Sequence, residues 1–523
     1  MKRLLFVVAV VAGLFGISYG ADPEVSKKSE IAVFGVYSSY NMPSAAVAYF
    51  DDQMIGVFND LKRFKVIGFQ YRMDEASADK FIKKIKELKK EQILNDKNLI
   101  DEDFGVVVIP AVDLEAMTKS FFIAIPIVSG WSVTKVQIEK KSKDLKGNTT
   151  SKWVWVYKAN VNVSIRLIDA DGTLVDKYSK DQSYESETGE QDAYQHAIKD
   201  AVWGLTFFLR NMDQFKIKTK VLEVPAPGTL YMELGKDMGV LPGYEFIIEK
   251  SSALGATGKT IKMESGLVRV ESIGADYSIG KVIFGSPIIN DQLVEAPMMG
   301  GRLTIGGGIG AMNVAAANIQ MVFEDYSPTP DIFTTNINLV EQSIVPHIGI
   351  AWESEIGYAL LGHAELGLYI GTPLALNLDL GVGYEIYLGP LSIVPSIDLS
   401  IIGNYTSLGT YDASTSLYLT MNDQDYSNPV NVDLIGATLG AKPKLSINIQ
   451  FSQGFKLRLF GGYALYFLPF YQVKFTDTLD ENKTSTIDIT DSHLSFLVNG
   501  VKKTGLPIDY NGVFAGAEFV FRF

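Results

Sequence analysis

The chain has 523 residues, a formal charge of -13 and no cysteine. That length suits about three domains. The missing thiols exclude disulfides, thiol catalysis, Cys-ligated metals and a lipid anchor on an N-terminal cysteine, and the acidic balance argues against nucleic-acid binding.

Met1-Lys2-Arg3, the apolar run from Leu4 to Gly16 and the small-residue site Ser18-Tyr19-Gly20 predict a secretory signal at 1–20, too short to cross a bilayer as a helix. No later segment approaches about twenty consecutive apolar residues. The mature protein is therefore expected to lack a transmembrane helix, and membrane attachment has to come from folded structure.

Residues 28–222 predict an α/β domain. Ile31 to Val36 reads as a buried strand, and Ser44 to Phe64 as a helix with Val47, Phe50, Met54, Val57 and Leu61 on one face. A strand at Lys65 to Phe69 precedes a helix at Asp74 to Leu94 with Ala78, Phe81, Ile85 and Leu88 inward and its lysines solvated. Phe104 to Val112 is read as a further strand. Trp153 to Ile168 alternates and turns back at Asp169-Ala170-Asp171-Gly172, and Glu190 to Met212 predicts a helix burying Ala197, Ile198, Ala201, Val202 and Leu205.

With Ile31-Ala32-Val33-Phe34, the hairpin from Ile165-Arg166-Leu167-Ile168-Asp169 to Gly172, and Ala193 to Leu209, this order resembles the CsgG-like fold. Its members include curli-secretion channel subunits, LpoB-type activators of peptidoglycan synthases and the middle domain of FlgT-type flagellar ring proteins. The resemblance implies a periplasmic, partner-binding domain. Curli-channel subunits and LpoB proteins are lipoproteins, whereas this chain has no cysteine to lipidate, so a different anchor is expected. Phe121 to Ile138, with the polar stretch Lys140 to Lys152 after it, is either an ordinary hairpin or surface extension, or an extra hairpin like those forming the oligomeric curli pore.

Residues 223–296 predict a small all-β module with strands at Thr229 to Glu233, Tyr244 to Lys250, Gly266 to Ile273 and Ser278 to Phe284. Gly239-Val240-Leu241-Pro242-Gly243 ahead of Phe246 and Ile248, with Gly266, Val268, Val270, Ser278 and Val282, resembles the SH3-like C-terminal domain of FlgT-type proteins.

Residues 301–523 alternate with a period of two in eight segments, near 302–312, 344–356, 362–372, 374–388, 391–401, 435–449, 455–467 and 511–523. From Leu374 to Leu388, for instance, every even position is Leu, Val, Tyr or Ile, while the odd ones include Asn377, Asp379, Gly381 and Glu385. A soluble sandwich also alternates, but its strands run about five or six residues. Crossing a bilayer takes about ten tilted residues, and a one-residue slip would put a basic side chain into lipid at about 2–4 kcal/mol. Turns at 357–361, 389–390 and 451–454 are short, whereas 313–343, 405–432 and 471–510 are long and polar; the link at Thr372-Pro373 is a short exception. The expected fold class is thus multidomain: a CsgG-like α/β domain, an SH3-like β domain, and an eight-stranded antiparallel transmembrane β-barrel.

Phe519, Phe521 and Phe523 share one face of the last strand, with Arg522 on the other. This ending resembles the terminal signal of bacterial outer-membrane proteins, which implies recognition by the barrel-insertion machinery. Inward positions carry Glu353, Glu365, Asp379, Glu385 and Asp398 on the second to fifth strands, and Lys442, Lys444, Lys456, Arg458, Arg522 and Arg302 on the sixth, seventh, eighth and first. Eight strands leave an interior just wide enough for side chains, so opposed acidic and basic walls predict a lumen plugged by ion pairs.

Catalytic motifs are not expected. Gly255-Ala256-Thr257-Gly258-Lys259-Thr260 imitates a phosphate loop, but Ala253 stands where Gly is required. Asp169-Ala170-Asp171-Gly172 lacks the remaining acidic ligands of a calcium loop, and Gly306-Gly307-Gly308-Ile309-Gly310 lies inside a strand. The four histidines, His196, His347, His363 and His493, are scattered, with His347 and His363 read as lumen-facing. Neither cofactor nor metal is expected. The sequence reads as a non-enzymatic envelope protein in contact with outer-membrane lipid. Its barrel would tether residues 21–300 in the periplasm to a flagellar ring, secretion or peptidoglycan complex. The alternatives are a homo-oligomeric transport conduit and a surface adhesin displaying 405–432 and 471–510.

Overall fold

Ile31, Ala32, Val33 and Phe34 are buried on both faces of their strand, as expected at the centre of a parallel sheet with helices above and below. The computed structural model describes residues 23–92, 100–143, 149–169, 171–254, 259–324, 332–357, 359–411, 419–421, 424–426, 428–491, 494–503 and 508–523. The signal segment 1–20 and residues 255–258 of the phosphate-loop mimic at 255–260 lie outside them. Two compact units are formed, one mostly before residue 298 and one mostly after it. Among the described residues no helix is long and apolar enough to cross a membrane.

In the first unit, β1 (Ser29–Phe34) pairs in parallel with β2 (Phe64–Phe69) and with β3 (Phe122–Lys143). The sheet continues antiparallel through β4 (Thr149–Asp169) and β5 (Leu174–Ser186). Helices α1 (Ser44–Asp60) and α4 (Glu190–Asn211) cover one face, where Phe50, Met54, Ala197, Ala201 and Leu205 meet Val33, Val161, Val163 and Ile165. Helices α2 (Glu75–Gln92) and α3 (Ala111–Lys119) cover the other, with Phe81, Ile85, Leu114 and Met117 against Phe34, Ile123 and Ile125.

The strand expected at Phe104 to Val112 is not formed. Glu102–Asp103 and Val108–Ile109 make a two-residue pairing, and α3 starts after Pro110. Proline has no N–H to continue a ladder, and Leu114 and Met117 recur at helical spacing, so the apolar run divides there. The Asp169–Gly172 segment is a turn: Asp169 Oδ1 accepts the N–H groups of Asp171 and Thr173, each at 2.9 Å.

A closed six-stranded barrel follows, formed by Lys218–Ala226, Thr229–Glu233, Glu245–Leu254, Lys259–Ile273, Tyr277–Phe284 and Gln292–Glu295. It begins ahead of the expected boundary at 223, because Lys218, Thr219 and Lys220 pair with the last of these strands and leave the α/β sheet. Glu295 ties this barrel to the α/β layers. Its carboxylate, wholly buried, accepts from Arg63 and Arg210 at 2.8 Å and from the N–H of Ile217 at 3.0 Å.

The second unit is a closed antiparallel barrel of eight strands: Gly301–Val314, Gln342–Gly357, Leu360–Tyr369, Leu374–Tyr384 with its continuation Ile386–Leu388, Leu391–Tyr411, Val430–Ser452, Phe455–Asp477 and Gly512–Arg522. The first strand closes it, with Ile305 opposite Ile350 on the second strand and Phe519 on the eighth. Aromatic side chains lie over inward glycines on neighbouring strands. A Cβ on Gly516 would come within 2.6 Å of the Phe460 ring, and one on Gly462 within 2.5 Å of Phe514, so the lumen packs tightly only because these positions lack side chains.

The described parts of the long segments 313–343, 405–432 and 471–510, expected to be polar loops, instead carry strands. Ala317–Glu324 pairs with Ile332–Leu339 and Leu494–Val498, and Thr484–Asp488 pairs antiparallel with the outer part of the seventh strand. Ile319, Met321, Val432, Val473, Phe475, Leu494 and Phe496 bury a common apolar core with Met312 and Tyr426. That core fills the end of the barrel away from the short turns.

Candidate functional site: a charge-filled lumen inside an apolar belt

Because strand side chains alternate, each barrel strand places one row outward and one inward. The outward row is exposed and apolar on every strand. It includes Ile305 and Ile309, Ile348 and Ile350, Leu366, Leu376 to Val382 at even positions, Leu399 and Ile401, Leu445, Leu459 and Phe467, and Phe519 to Phe523 at odd positions. Near the short-turn end, Phe451, Phe455, Phe519 and Phe521 form a contiguous aromatic patch, and Trp352 stacks on Phe523. Phe519, Phe521 and Phe523 thus lie on the outer surface. The N–H of Met299 donates to the Phe523 carbonyl at 2.7 Å, so entry and exit of the barrel share one end.

The inward row is charged and buried. Nearest the short turns, Arg302 Nη2 lies 2.7 Å from Glu355 and 2.8 Å from Glu385, with Glu353 at 3.8 Å from Nη1. Glu385 also receives Lys456 Nζ at 2.6 Å, Ser392 Oγ at 2.6 Å, Tyr387 Oη at 2.7 Å and Asn448 Nδ2 at 3.1 Å. Arg458 clasps Glu353 with both terminal nitrogens, donates Nε to Asn448 Oδ1 at 2.9 Å and lies 3.3 Å from Glu518. Arg522 donates to the Gln453 carbonyl at 3.0 Å.

Farther in, Lys444 lies 3.4 Å from Asp398 and 3.8 Å from Glu365. His363 Nε2 is 2.9 Å from Asp398, and His347 Nε2 is 3.8 Å from Glu365. Lys442 pairs with Asp379, which also accepts from Ser400 Oγ, itself 2.7 Å from Tyr466 Oη. The Asn404–Tyr510 hydrogen bond at 2.9 Å then leads into the apolar core above. Every one of the eleven expected inward charges therefore faces the interior, and His347 and His363 join them.

Two carboxylates escaped the sequence reading. Glu518 lies on the eighth strand, so the basic side of the lumen is not uniformly basic, and Glu355 lies on the second. Both sit two residues from an inward neighbour, Val520 and Glu353, so alternation alone could have found them. With them, seven carboxylates face six lysines and arginines, close to the neutrality that charges removed from water require. Among the described residues no group of His, Asp and Glu is placed to hold a metal ion.

No protein-family model and no curated protein matches the chain. Solved structures similar to it include the outer-membrane protease OmpT from Escherichia coli, at 6% identity and TM-score 0.20, covering 44% of this chain and 99% of that one. A major outer-membrane protein from Thermus thermophilus aligns at 14% identity and TM-score 0.20, covering 42% and 99%. OmpT of Vibrio cholerae aligns at 10% identity and TM-score 0.09, covering 76% and 98%. Superpositions of that quality carry no argument; the barrel is defined by its own strand pairing.

Proposed function

We propose that the protein is a non-enzymatic outer-membrane anchor whose eight-stranded barrel spans the bilayer and holds the first unit as a periplasmic binding module. One observation carries this reading: the outward row is apolar and exposed around the whole barrel, while the charges are inside and paired. In water that arrangement is inverted, since large exposed apolar patches are rare on soluble monomers. In a bilayer it satisfies every strand, because closure leaves no unpaired edge and the apolar row meets lipid. With an even number of strands, entry and exit share one face, read as the periplasmic one.

The role is tethering rather than conduction, since ion pairs and the apolar core fill the lumen. The resemblance of the α/β order and the small β module to CsgG-like and FlgT-type proteins supports an envelope complex as partner. Reconstituted full-length chain is expected to resist alkaline extraction from vesicles and to give no steady conductance in planar bilayers. Large, steady conductance would overturn the plugged anchor. Cross-linking in native envelopes, followed by identification of the captured proteins, tests the partner.

A further inference from the structure

Strands β3 and β4 outrun the sheet they belong to. The short strand Tyr37–Ser38 supports β3 only at Ile127 and Val128, and β5 supports β4 only from Tyr157 onward. Beyond those points Gly130–Lys143 and Thr149–Val156 form a two-stranded ribbon whose described residues pair only with each other. An isolated ribbon of this kind is marginal in water.

Its surface says what would cover it. Trp153 and Trp155 continue the face that carries Ala159, Val161 and Val163, but α4 does not cover them: Trp131, opposite Val161, contacts Tyr194 in the first turns of that helix, and Trp155 lies six residues farther out along β4. Trp153 stays 59% exposed and Trp155 55%. On that face the register sets Lys135 opposite Tyr157, Gln137 opposite Trp155, Glu139 opposite Trp153 and Lys141 opposite Ser151, with Lys141 3.6 Å from Glu139. Lys140 and Lys152 point from the other face, where Lys140 pairs with Glu187. Lys135 Nζ sits 5.4 Å from both the Trp155 and the Tyr157 rings, so cation and indole present one shared surface. Exposed indoles bordered by lysines match a lipid headgroup layer, where the ring seats at the boundary and the ammonium meets phosphate.

We propose that this ribbon docks on the anionic surface of a phospholipid bilayer, with Trp153 and Trp155 among the headgroups and Lys135 and Lys141 against lipid phosphate. The docking rests on the ribbon's own surface and not on the membrane reading of the barrel. In the test, full-length chain is held in nanodiscs of phosphatidylcholine alone and mixed with vesicles of phosphatidylcholine with or without phosphatidylglycerol. Co-flotation is expected to be at least roughly tenfold greater on the anionic vesicles and to fall as salt is raised.

The double variant Trp153→Ser/Trp155→Ser, at two exposed positions, and separately Lys135→Gln/Lys141→Gln should each lose about tenfold while thermal unfolding stays unchanged. Equal flotation on both vesicle types, or none, overturns docking. So do nanodiscs that pair without vesicles, which would mean that the ribbon binds a second copy, and leakage of the vesicles, which would mean insertion. Failure of the chain to enter nanodiscs would count against the barrel reading alone. The ribbon would then be decided by floating detergent-free chain with the same vesicles.

Discussion

Replacing Lys442 by Met separates a dry, ion-paired lumen from a hydrated one. Lys442 pairs with Asp379, and the two side chains are 4% and 0% exposed. Lys442 also lies 4.9 Å from the centre of the Phe514 ring. Without the ammonium, the Asp379 carboxylate keeps only Ser400 among its named partners. Breaking a buried pair by removing one member costs about 3–5 kcal/mol, whereas a solvated pair is worth about 0–1 kcal/mol. Because apolar replacement of both members is often neutral, Lys442→Met/Asp379→Leu should recover most of the loss and give a coupling energy of about 3 kcal/mol.

The assay is urea unfolding of the full chain in lipid vesicles, followed by electrophoretic mobility. With a denaturant slope of about 3 kcal/mol/M for a barrel of this size, the single variant should lower the midpoint by roughly 1 M or more. A loss below about 1 kcal/mol would refute the closed lumen, as would a double variant as unstable as the two singles added together.

Leu399→Arg tests the belt: Leu399 is exposed beside Leu380, so in water the change should cost within about 0.5 kcal/mol, but in vesicles about 2–4 kcal/mol by the same unfolding assay. Glu295→Ala strands two guanidinium groups between the α/β layers and the small barrel and should cost about 3–5 kcal/mol, with faster hydrogen exchange at the Glu295 amide, which donates to the Ile217 carbonyl. Burial and the hydrogen bond to Asp113 push the Tyr71 phenol up to about 12 from 10.0. The folded value lies above the unfolded one, so the stabilisation is complete below pH 10 and lost as pH rises toward 12. Tyr71→Phe should therefore flatten the alkaline limb of a thermal-unfolding profile across that window, and an unchanged limb would refute the assignment.

Between bulges, the alternation of residue types in the chain fixes which way a barrel side chain faces. A period of two has only two phases, and a charge fixes which phase points inward, so Arg302, Asp379, Glu385 and Lys456 are legible as interior residues in the chain alone. Alternation says nothing about position around the circumference. That Lys456 meets Glu385, or that Arg458 clasps Glu353 rather than Glu365, depends on how the strands stagger when the sheet closes.

The remaining surprises share that cause. The apolar cap was hidden because Ile319, Phe475 and Phe496 are sparse among polar residues and become a core only when three distant segments converge. Glu295 finds Arg63 across 232 positions, a distance no local pattern spans. Local periodicity is written in the chain and fixes strands, faces and the sign of the lumen. Which partners meet is a property of closure, and only the tertiary structure decides it.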